Sequence, residues 1–160
     1  MKASVAIVMG SDSDWKVMKA AKDVFVEFGV EVHAQVVSAH RTPEDLKIFT
    51  DWAEENKIQV IIAGAGGAAH LPGMLASFTT LPVVGVPINA TALNGMDSLL
   101  SIVQMPKGIP VATMAIDNAV NAALFALRIL GLNNFQLLNK LKDYRENMKI
   151  ESRKKSGNLL

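Results

Sequence analysis

The sequence predicts an α/β protein: a three-layer α/β/α sandwich of the flavodoxin-like type, with a parallel five-stranded sheet and a C-terminal helix extension. Short β-branched apolar runs alternate with amphipathic segments of helical periodicity, which is the pattern of parallel strands joined by crossover helices. Five such runs with right-handed crossovers favour the strand order 2-1-3-4-5. At 160 residues the chain is long enough for one domain and too short to suggest two.

The first two strand–helix pairs follow from hydrophobic periodicity and from helix-end signals. Ala3 to Met9 is almost continuously apolar, as in a strand covered on both faces. Asp14 to Phe28 has helical spacing and stops at Gly29, a predicted C-terminal cap. Val30 to Val36 alternates apolar and polar residues, which predicts a strand near a sheet edge. Thr42 to Asp45 reads as a helix start with a capping hydroxyl, and this second helix is expected to reach about Lys57.

The remaining elements continue the alternation. Further strands are predicted at Ile58–Ala63, Pro82–Val86 and Val111–Ile116, and helices at Leu71–Phe78, Asp97–Met105, Asn118–Leu130 and Phe135–Ile150. We expect a single domain over residues 1–160, with an ordered core at about residues 3–150 and a polar C-terminal tail that frays.

Composition narrows the class of protein. Only 19 % of the residues are charged, below the ~25 % typical of globular chains, so we expect an oligomer that buries additional surface. A net charge of +1 without a basic stripe argues against nucleic acid. The absence of cysteine suits a reducing compartment.

Neither a signal peptide nor a membrane helix is predicted, because glycines interrupt the longest apolar region, residues 60–78. A cytoplasmic location is therefore expected.

Four polar or glycine-rich segments each follow a predicted strand: Gly10–Asp14, Ser38–Thr42, Gly64–His70 and Pro87–Asn94. Ligands of open α/β sheets bind beyond the carboxyl ends of the strands, so these segments are expected to converge on one cleft.

Taken singly, the glycine-rich segments are weak signals for a cofactor. Gly64 to Ala69 satisfies the relaxed dinucleotide pattern, but no acidic residue follows about 20 positions later to hold a ribose. The segment Gly10 to Asp14 lacks the Gly-Lys-Ser/Thr ending of a triphosphate loop. No nicotinamide cofactor and no ATP hydrolysis are predicted. The glycines could admit a small anionic or planar ligand close to the backbone, or could serve a tight turn needed for packing.

The three histidines are far apart in the sequence and show no metal-ligand spacing, so no metal is predicted. His33 lies on the polar side of its strand and is expected to be solvated. A hydrolase triad of Ser11, His40 and Asp14 lacks a nucleophile elbow and is disfavoured.

His40 and Arg41 form the most suggestive pair, because they lie between a strand and a helix start. An imidazole can serve as acid and as base in one catalytic cycle. A guanidinium near a helix N-terminus can hold a phosphate with two parallel hydrogen bonds. From the residues alone, the pair indicates a phosphorylated small molecule and histidine-mediated proton transfer, with a solvated polar turn as the alternative.

Four motifs in the same order resemble the class I PurE family, mutases of de novo purine synthesis, over about residues 4–130. They are Gly10-Ser11-Asp12-Ser13-Asp14-Trp15, Ser38-Ala39-His40-Arg41-Thr42-Pro43, the segment from Ala63 to Met74, and the segment from Ser98 to Pro106. The resemblance implies conversion of 5-(carboxyamino)imidazole ribonucleotide into its 4-carboxy isomer, with no metal, cofactor or ATP. It also implies a homo-octamer with sites shared between subunits.

The resemblance also assigns roles to residues. His40 matches the general acid/base of the family, and Ser11, Asp14 and Arg41 match its principal nucleotide-binding positions. Asp14 would suit ribose hydroxyls, whereas Ser11, Ser13 and Arg41 would suit the phosphate. Gly66 and His70 match the loop that lines the imidazole and carboxylate region, and Ser38 completes the expected substrate-binding set.

One detail bears on the reaction class, and another bears on the start of the helix that follows Asp117 and on contacts between subunits. The second class of the family carboxylates aminoimidazole ribonucleotide directly and resembles Lys-Gly where this chain has Arg41-Thr42, so Arg-Thr favours the mutase. The stretch from Ile116 to Asn121 is shorter than in the bacterial pattern. A noncatalytic module that binds a nucleotide phosphate in the same cleft is the alternative of a different class.

Overall fold

A computed structural model describes residues 4–159, which divide into two compact units, one up to Ala126 and one from Leu127 onward. The expectation of a single domain stays a prediction. The first unit contains a parallel five-stranded sheet of order β2-β1-β3-β4-β5, which confirms the predicted topology. The strands are β1 (Val5–Met9), β2 (Val32–Val36), β3 (Val60–Gly66), β4 (Val83–Ile88) and β5 (Ala112–Thr113).

The helices of the chain follow the predicted order. They are α1 (Trp15–Phe28), α2 (Glu44–Glu55), α3 (Leu71–Phe78), α4 (Met96–Val103), α5 (Ala119–Gly131) and α6 (Phe135–Lys154). A 3-10 turn at Asp12–Asp14 precedes α1, and another at Lys155–Leu159 follows α6. Within the described residues no helix is both long and apolar enough to cross a membrane.

Helices cover both faces of the sheet. Alternate residues of each strand point to opposite faces, so each strand contributes side chains to both layers. On one face Ala6, Ile61 and Val83, aligned by strand register, pack in a core cluster with residues of α2, α3 and α4. On the other face the side chain of Met18 in α1 lies against Gly64. All five residues of β1 are buried, as its uninterrupted apolar run predicts.

Several predicted boundaries and caps change in the structure. The predicted start of β1 at Ala3 lies outside the described residues. Strand β3 ends at Gly66 rather than Ala63, because the ladder with β4 continues to the pair Gly66–Ile88. Strand β5 shortens to two residues. The tail predicted to fray after residue 150 continues as α6 and a 3-10 turn up to Leu159.

Three local predictions, the Gly29 cap, the edge position of β2 and the exposure of His33, can be compared with the structure. Gly29 adopts the left-handed conformation at the end of α1 (φ 72°), and its N–H donates to the carbonyl of Phe25, as predicted for a C-cap. Strand β2 lies at the sheet edge, also as predicted. His33 on β2 is half-buried rather than solvated, because its ring lies 4.2 Å from the ring of Trp52 and its Nε2 lies 3.0 Å from Oε1 of Gln35.

Candidate active site

The four segments that follow strands β1 to β4 converge on one pocket of about 420 Å³ at the carboxyl edge of the sheet. This arrangement confirms the expected cleft. Most of the predicted site residues line the pocket: Ser11, Asp14, Ser38, His40, Arg41, Gly66 and His70. Ser13, the remaining one, is not among the lining residues.

Arg41 is held in place by two of the converging segments. Its backbone N–H and its Nε both donate to Oγ of Ser38, at 3.2 and 3.1 Å. Its Nη2 donates to the carbonyl of Gly10 at 3.0 Å. The guanidinium therefore joins the β2–α2 segment to the β1–α1 segment, and Ser38 acts on Arg41 as an acceptor.

The turn that carries Ser38 and Arg41 is closed by backbone and hydroxyl bonds. Thr42 donates to the carbonyl of Ser38 through its N–H at 3.0 Å and through its Oγ1 at 3.3 Å. The hydroxyl of Thr42 was expected to cap α2, but it points back into the turn instead, and the helix begins after Pro43 without a side-chain cap. The Thr42 hydroxyl bonds within the turn because the carbonyl of Ser38, four residues earlier, is an acceptor within its reach.

His40 and His70 meet across the pocket although they are 30 residues apart in sequence. Nε2 of His40 lies 2.7 Å from Nδ1 of His70, and the rings stand edge to face with centroids 4.8 Å apart. Only one proton fits between two nitrogens at that distance, so the two rings cannot both carry a proton on the facing atoms. Both side chains are exposed to the pocket.

Gly66, the last residue of β3, approaches the end of β4 and the segment that follows it closely. A Cβ on Gly66 would lie 2.6 Å from Cβ of Ala90 and 3.2 Å from the carbonyl oxygen of Ile88. Gly67 has a φ of +63°, and Ala69 a φ of +44°, so the chain turns sharply after the strand. Packing of the end of β3 against Ala90 thus requires a glycine at position 66, and Gly66 also lines the pocket.

Asp14 is the one buried acid of the site, with 7 % of its surface exposed. Burial raises the pKa of Asp14 above its ordinary value, and the backbone amide of Ser11 opposes this shift in part. Between the ordinary and the raised value, the folded protein holds a proton that the unfolded chain has lost. The contribution of Asp14 to stability therefore falls as the pH rises through that window.

The serines at the start of the site have different surroundings. Ser11 Oγ accepts from the N–H of Ser13 at 3.4 Å and from its hydroxyl at 3.1 Å, and it donates to Oδ1 of Asp12 at 3.1 Å. The hydroxyl of Ser13 therefore supports Ser11, and Ser11 is the member of the pair that lines the pocket.

The sequence did not single out residues of the β4–α4 segment, although it placed the segment at the cleft. Ala90 and Thr91 line the pocket. Thr91 Oγ1 donates to Oδ2 of Asp97 in the first turn of α4. A hydroxyl directly after a buried strand was the available signal, but threonine is common in loops and the pattern alone carries little weight.

No group of three or more His, Cys, Asp or Glu side chains suited to a metal ion occurs among residues 4–159. The polar groups that converge here are a histidine pair, a fixed guanidinium, hydroxyls and a buried carboxyl. Such a set can bind a phosphate and can move protons.

Comparisons with known proteins agree on one family. The family model described as AIR carboxylase matches residues 4–151. The N5-carboxyaminoimidazole ribonucleotide mutase of Pyrococcus horikoshii is 60 % identical over 158 residues, which cover 99 % of this chain and 89 % of that protein.

Two further matches differ in name and in kind. The chloroplastic phosphoribosylaminoimidazole carboxylase of Vigna aconitifolia is 57 % identical over 145 residues, which cover 91 % of this chain but 26 % of that longer protein. The crystal structure of Treponema denticola PurE has a TM-score of 0.89 and 28 % sequence identity, with 97 % of each chain covered.

Proposed function

The chain belongs to the AIR carboxylase family, and on that basis we propose that it is an N5-carboxyaminoimidazole ribonucleotide mutase. This isomerase converts 5-(carboxyamino)imidazole ribonucleotide into 5-amino-4-imidazolecarboxylate ribonucleotide in purine biosynthesis. The relative that is 60 % identical along almost the whole chain carries the same name. The observation that carries the proposal is the pairing of His40 with His70 in the pocket that also receives Arg41.

The nucleotide would bind with its phosphate toward Arg41. Two of the guanidinium nitrogens are already engaged by Ser38 and Gly10, so the side chain is ordered before the ligand arrives. Ser11 lies at the same end, supported by Ser13, and would turn its hydroxyl proton from Oδ1 of Asp12 to the phosphate when the nucleotide binds. Asp14 would accept hydrogen bonds from ribose hydroxyls, which its position in the pocket supports.

His40 would carry both proton transfers. It first donates a proton to the carbamate nitrogen. The C–N bond then breaks, its electron pair stays on nitrogen and carbon dioxide leaves. C4 of the aminoimidazole attacks the trapped carbon dioxide, and the C4 proton passes to His40, so the histidine ends as it began. One residue suffices because each step uses the protonation state that the other leaves behind.

His70 would act on the orientation of the His40 ring. Nε2 of His40 lies 2.7 Å from Nδ1 of His70, so a hydrogen bond between them would fix the orientation of the His40 ring. Gly66 and Gly67 have no side chains, so the reacting ring can lie close to the main chain at these two positions. A pocket of about 420 Å³ suits one mononucleotide and would hold carbon dioxide beside C4.

The enzyme would act without a cofactor or a metal, in the cytoplasm, as a homo-octamer whose sites are shared between subunits. Exposed apolar side chains support association. Val36 is 48 % exposed on the edge strand, and Leu93 is 63 % exposed on the β4–α4 segment. Both adjoin segments that form the pocket, so a neighbouring subunit placed there would lie next to the site.

A single assay tests the function. The carboxyamino nucleotide is supplied without ATP or bicarbonate, and the C4-carboxylated product is followed. Product formation at catalytic rates is expected. Formation only from aminoimidazole ribonucleotide with added bicarbonate would instead establish a carboxylase, a candidate that the name of the Vigna aconitifolia relative favours and Arg41-Thr42 disfavours. Binding without any carboxyl transfer would identify a noncatalytic nucleotide-binding module.

A further inference from the structure

Thr91 lines the pocket but has no role in the mechanism, and its hydroxyl is hydrogen-bonded to a carboxylate. Thr91 Oγ1 donates to Oδ2 of Asp97, and Oδ1 of the same carboxylate accepts the N–H of Ser98 at 2.9 Å. The bond from Thr91 is the largest cause that lowers the pKa of Asp97, so the carboxylate stays ionised at neutral pH. An ionised carboxylate only accepts hydrogen bonds, so it fixes the direction of the Thr91 hydroxyl.

The segment that carries this pair is fixed at several points. Oγ of Ser98 is buried and lies 2.9 Å from the carbonyl oxygens of both Ile88 and Gly95, which share its one proton. The N–H of Asn89 donates to Oδ1 of Asp117 at 2.9 Å. These bonds hold both ends of the segment, so the position of Thr91 is set by the fold rather than by a ligand.

Thr91 lines the pocket beside the glycine segment that follows β3. Its Cγ2 would be 3.4 Å from a Cβ on Gly67, and Gly67 lies on the segment that also carries His70. The phosphate end is defined by Arg41 and Ser11 on other segments. If the phosphate binds at Arg41 as proposed, a ligand group that touches the Thr91 hydroxyl would belong to the imidazole half of the nucleotide.

A hydroxyl has one proton to donate and two lone pairs to accept. Because Asp97 takes the proton of Thr91, the oxygen faces the pocket as an acceptor. On the imidazole half, N1 carries the ribose and N3 is an acceptor, so the exocyclic nitrogen is the only N–H donor. That nitrogen carries an N–H in the carbamate and in the free amine alike.

We propose that Thr91 is a specificity-determining residue that accepts a hydrogen bond from the exocyclic N–H at C5 of the substrate, with Asp97 as the positioning residue. The inference rests on the proposed function for the identity of the nucleotide. It adds to the phosphate and proton-transfer groups a contact that recognises the aminoimidazole.

The test is a ligand-by-variant cycle measured by titration calorimetry. Wild type and Thr91→Val are each titrated with 5-aminoimidazole ribonucleotide and with the imidazole ribonucleotide that lacks the amine. The wild type should prefer the amine about tenfold, the range of one hydrogen bond, and Thr91→Val should lose the preference. Thr91→Ser should retain it. Asp97→Asn should reduce the amine preference, because the hydroxyl proton of Thr91 is then no longer held by a carboxylate.

Thr79→Val is the matched control, since Thr79 Oγ1 donates to Oε1 of Glu54 at 2.6 Å outside this pocket. It should keep the amine preference. An unchanged preference in Thr91→Val, or an equal loss of affinity for both ligands, would overturn the assignment of Thr91. An unchanged preference in Asp97→Asn would overturn the role of Asp97.

Turnover separates this inference from the proposed function. A wild type that fails to isomerise the carboxyamino nucleotide, yet shows an amine preference that Thr91→Val abolishes, would refute the function and support Thr91. A wild type that isomerises with no preference to lose would refute Thr91 and support the function.

Discussion

Replacing Ser38 with alanine should weaken binding of the phosphate end of the nucleotide while leaving the chemical step nearly intact. The hydroxyl of Ser38 accepts two bonds from Arg41, at 3.2 and 3.1 Å. Ser38→Ala removes both and leaves the bond from Nη2 to the carbonyl of Gly10 as the remaining tether. The guanidinium then has more freedom, which binding must remove again.

The expected magnitude follows from that lost order. Immobilising one flexible side chain on binding costs about 0.5–1.5 kcal/mol, and 1.4 kcal/mol corresponds to tenfold in affinity. The dissociation constant of the nucleotide should therefore rise about 2- to 12-fold. Because Arg41 is proposed to contact the phosphate, the corresponding nucleoside should bind wild type and Ser38→Ala equally.

The assay is paired titration calorimetry with nucleotide and nucleoside, together with steady-state turnover. We expect a higher KM with kcat changed less than twofold, since uniform binding is lost. Ser77→Ala is the control, because Ser77 Oγ donates to the carbonyl of Met74 within α3, away from the pocket. Equal weakening of nucleotide and nucleoside, or no weakening of either, would refute the positioning of Arg41 by Ser38.

Three further predictions test other parts of the site. His40→Asn should lower isomerisation by about 10²–10⁴-fold with unchanged circular dichroism and elution volume; substantial residual turnover would contradict its role as acid and base. Asp14→Asn should raise Tm at pH 7–8, because burial disfavours the charged carboxyl. The same variant should weaken nucleotide binding, because the carboxylate proposed to accept from the ribose hydroxyls is lost. The gain should shrink as the pH falls through the raised pKa, and a constant gain across the pH series would count against this origin. Gly66→Ala should cost about 1–3 kcal/mol of unfolding free energy in denaturant melts, because its Cβ would meet Ala90 at 2.6 Å, whereas Gly157→Ala meets nothing within 4 Å and should be near neutral.

Local signals predicted the elements well where one principle acted alone. The apolar run of β1 gave a strand that is buried throughout, and Gly29 caps α1 in the left-handed conformation. Signals failed where two principles competed. The hydroxyl of Thr42 had a helix N-terminus and a turn carbonyl within reach, and it took the carbonyl of Ser38. Gly66 looked like a loop residue, yet pairing with Ile88 extended β3 through it.

The residues of the candidate site could be named from motifs, but their partners could not. Arg41 was expected at a phosphate, and its dependence on Ser38 and Gly10 emerges only when two strand ends are brought together. Thr91 carried no distinguishing pattern, because its state depends on Asp97 six residues later in the turn of α4.

The sequence by itself determined which segments become strands and helices, the order of the sheet and the edge at which the polar segments meet. Those properties depend on periodicity and on the handedness of crossovers, which are local or nearly so. Only the tertiary structure decided that His40 lies 2.7 Å from His70, that Ser13 supports Ser11 rather than lining the pocket, and that Asp14 is buried. Distances between side chains on different loops, and the burial that raises the pKa of Asp14, depend on how whole elements pack, and no local pattern encodes them.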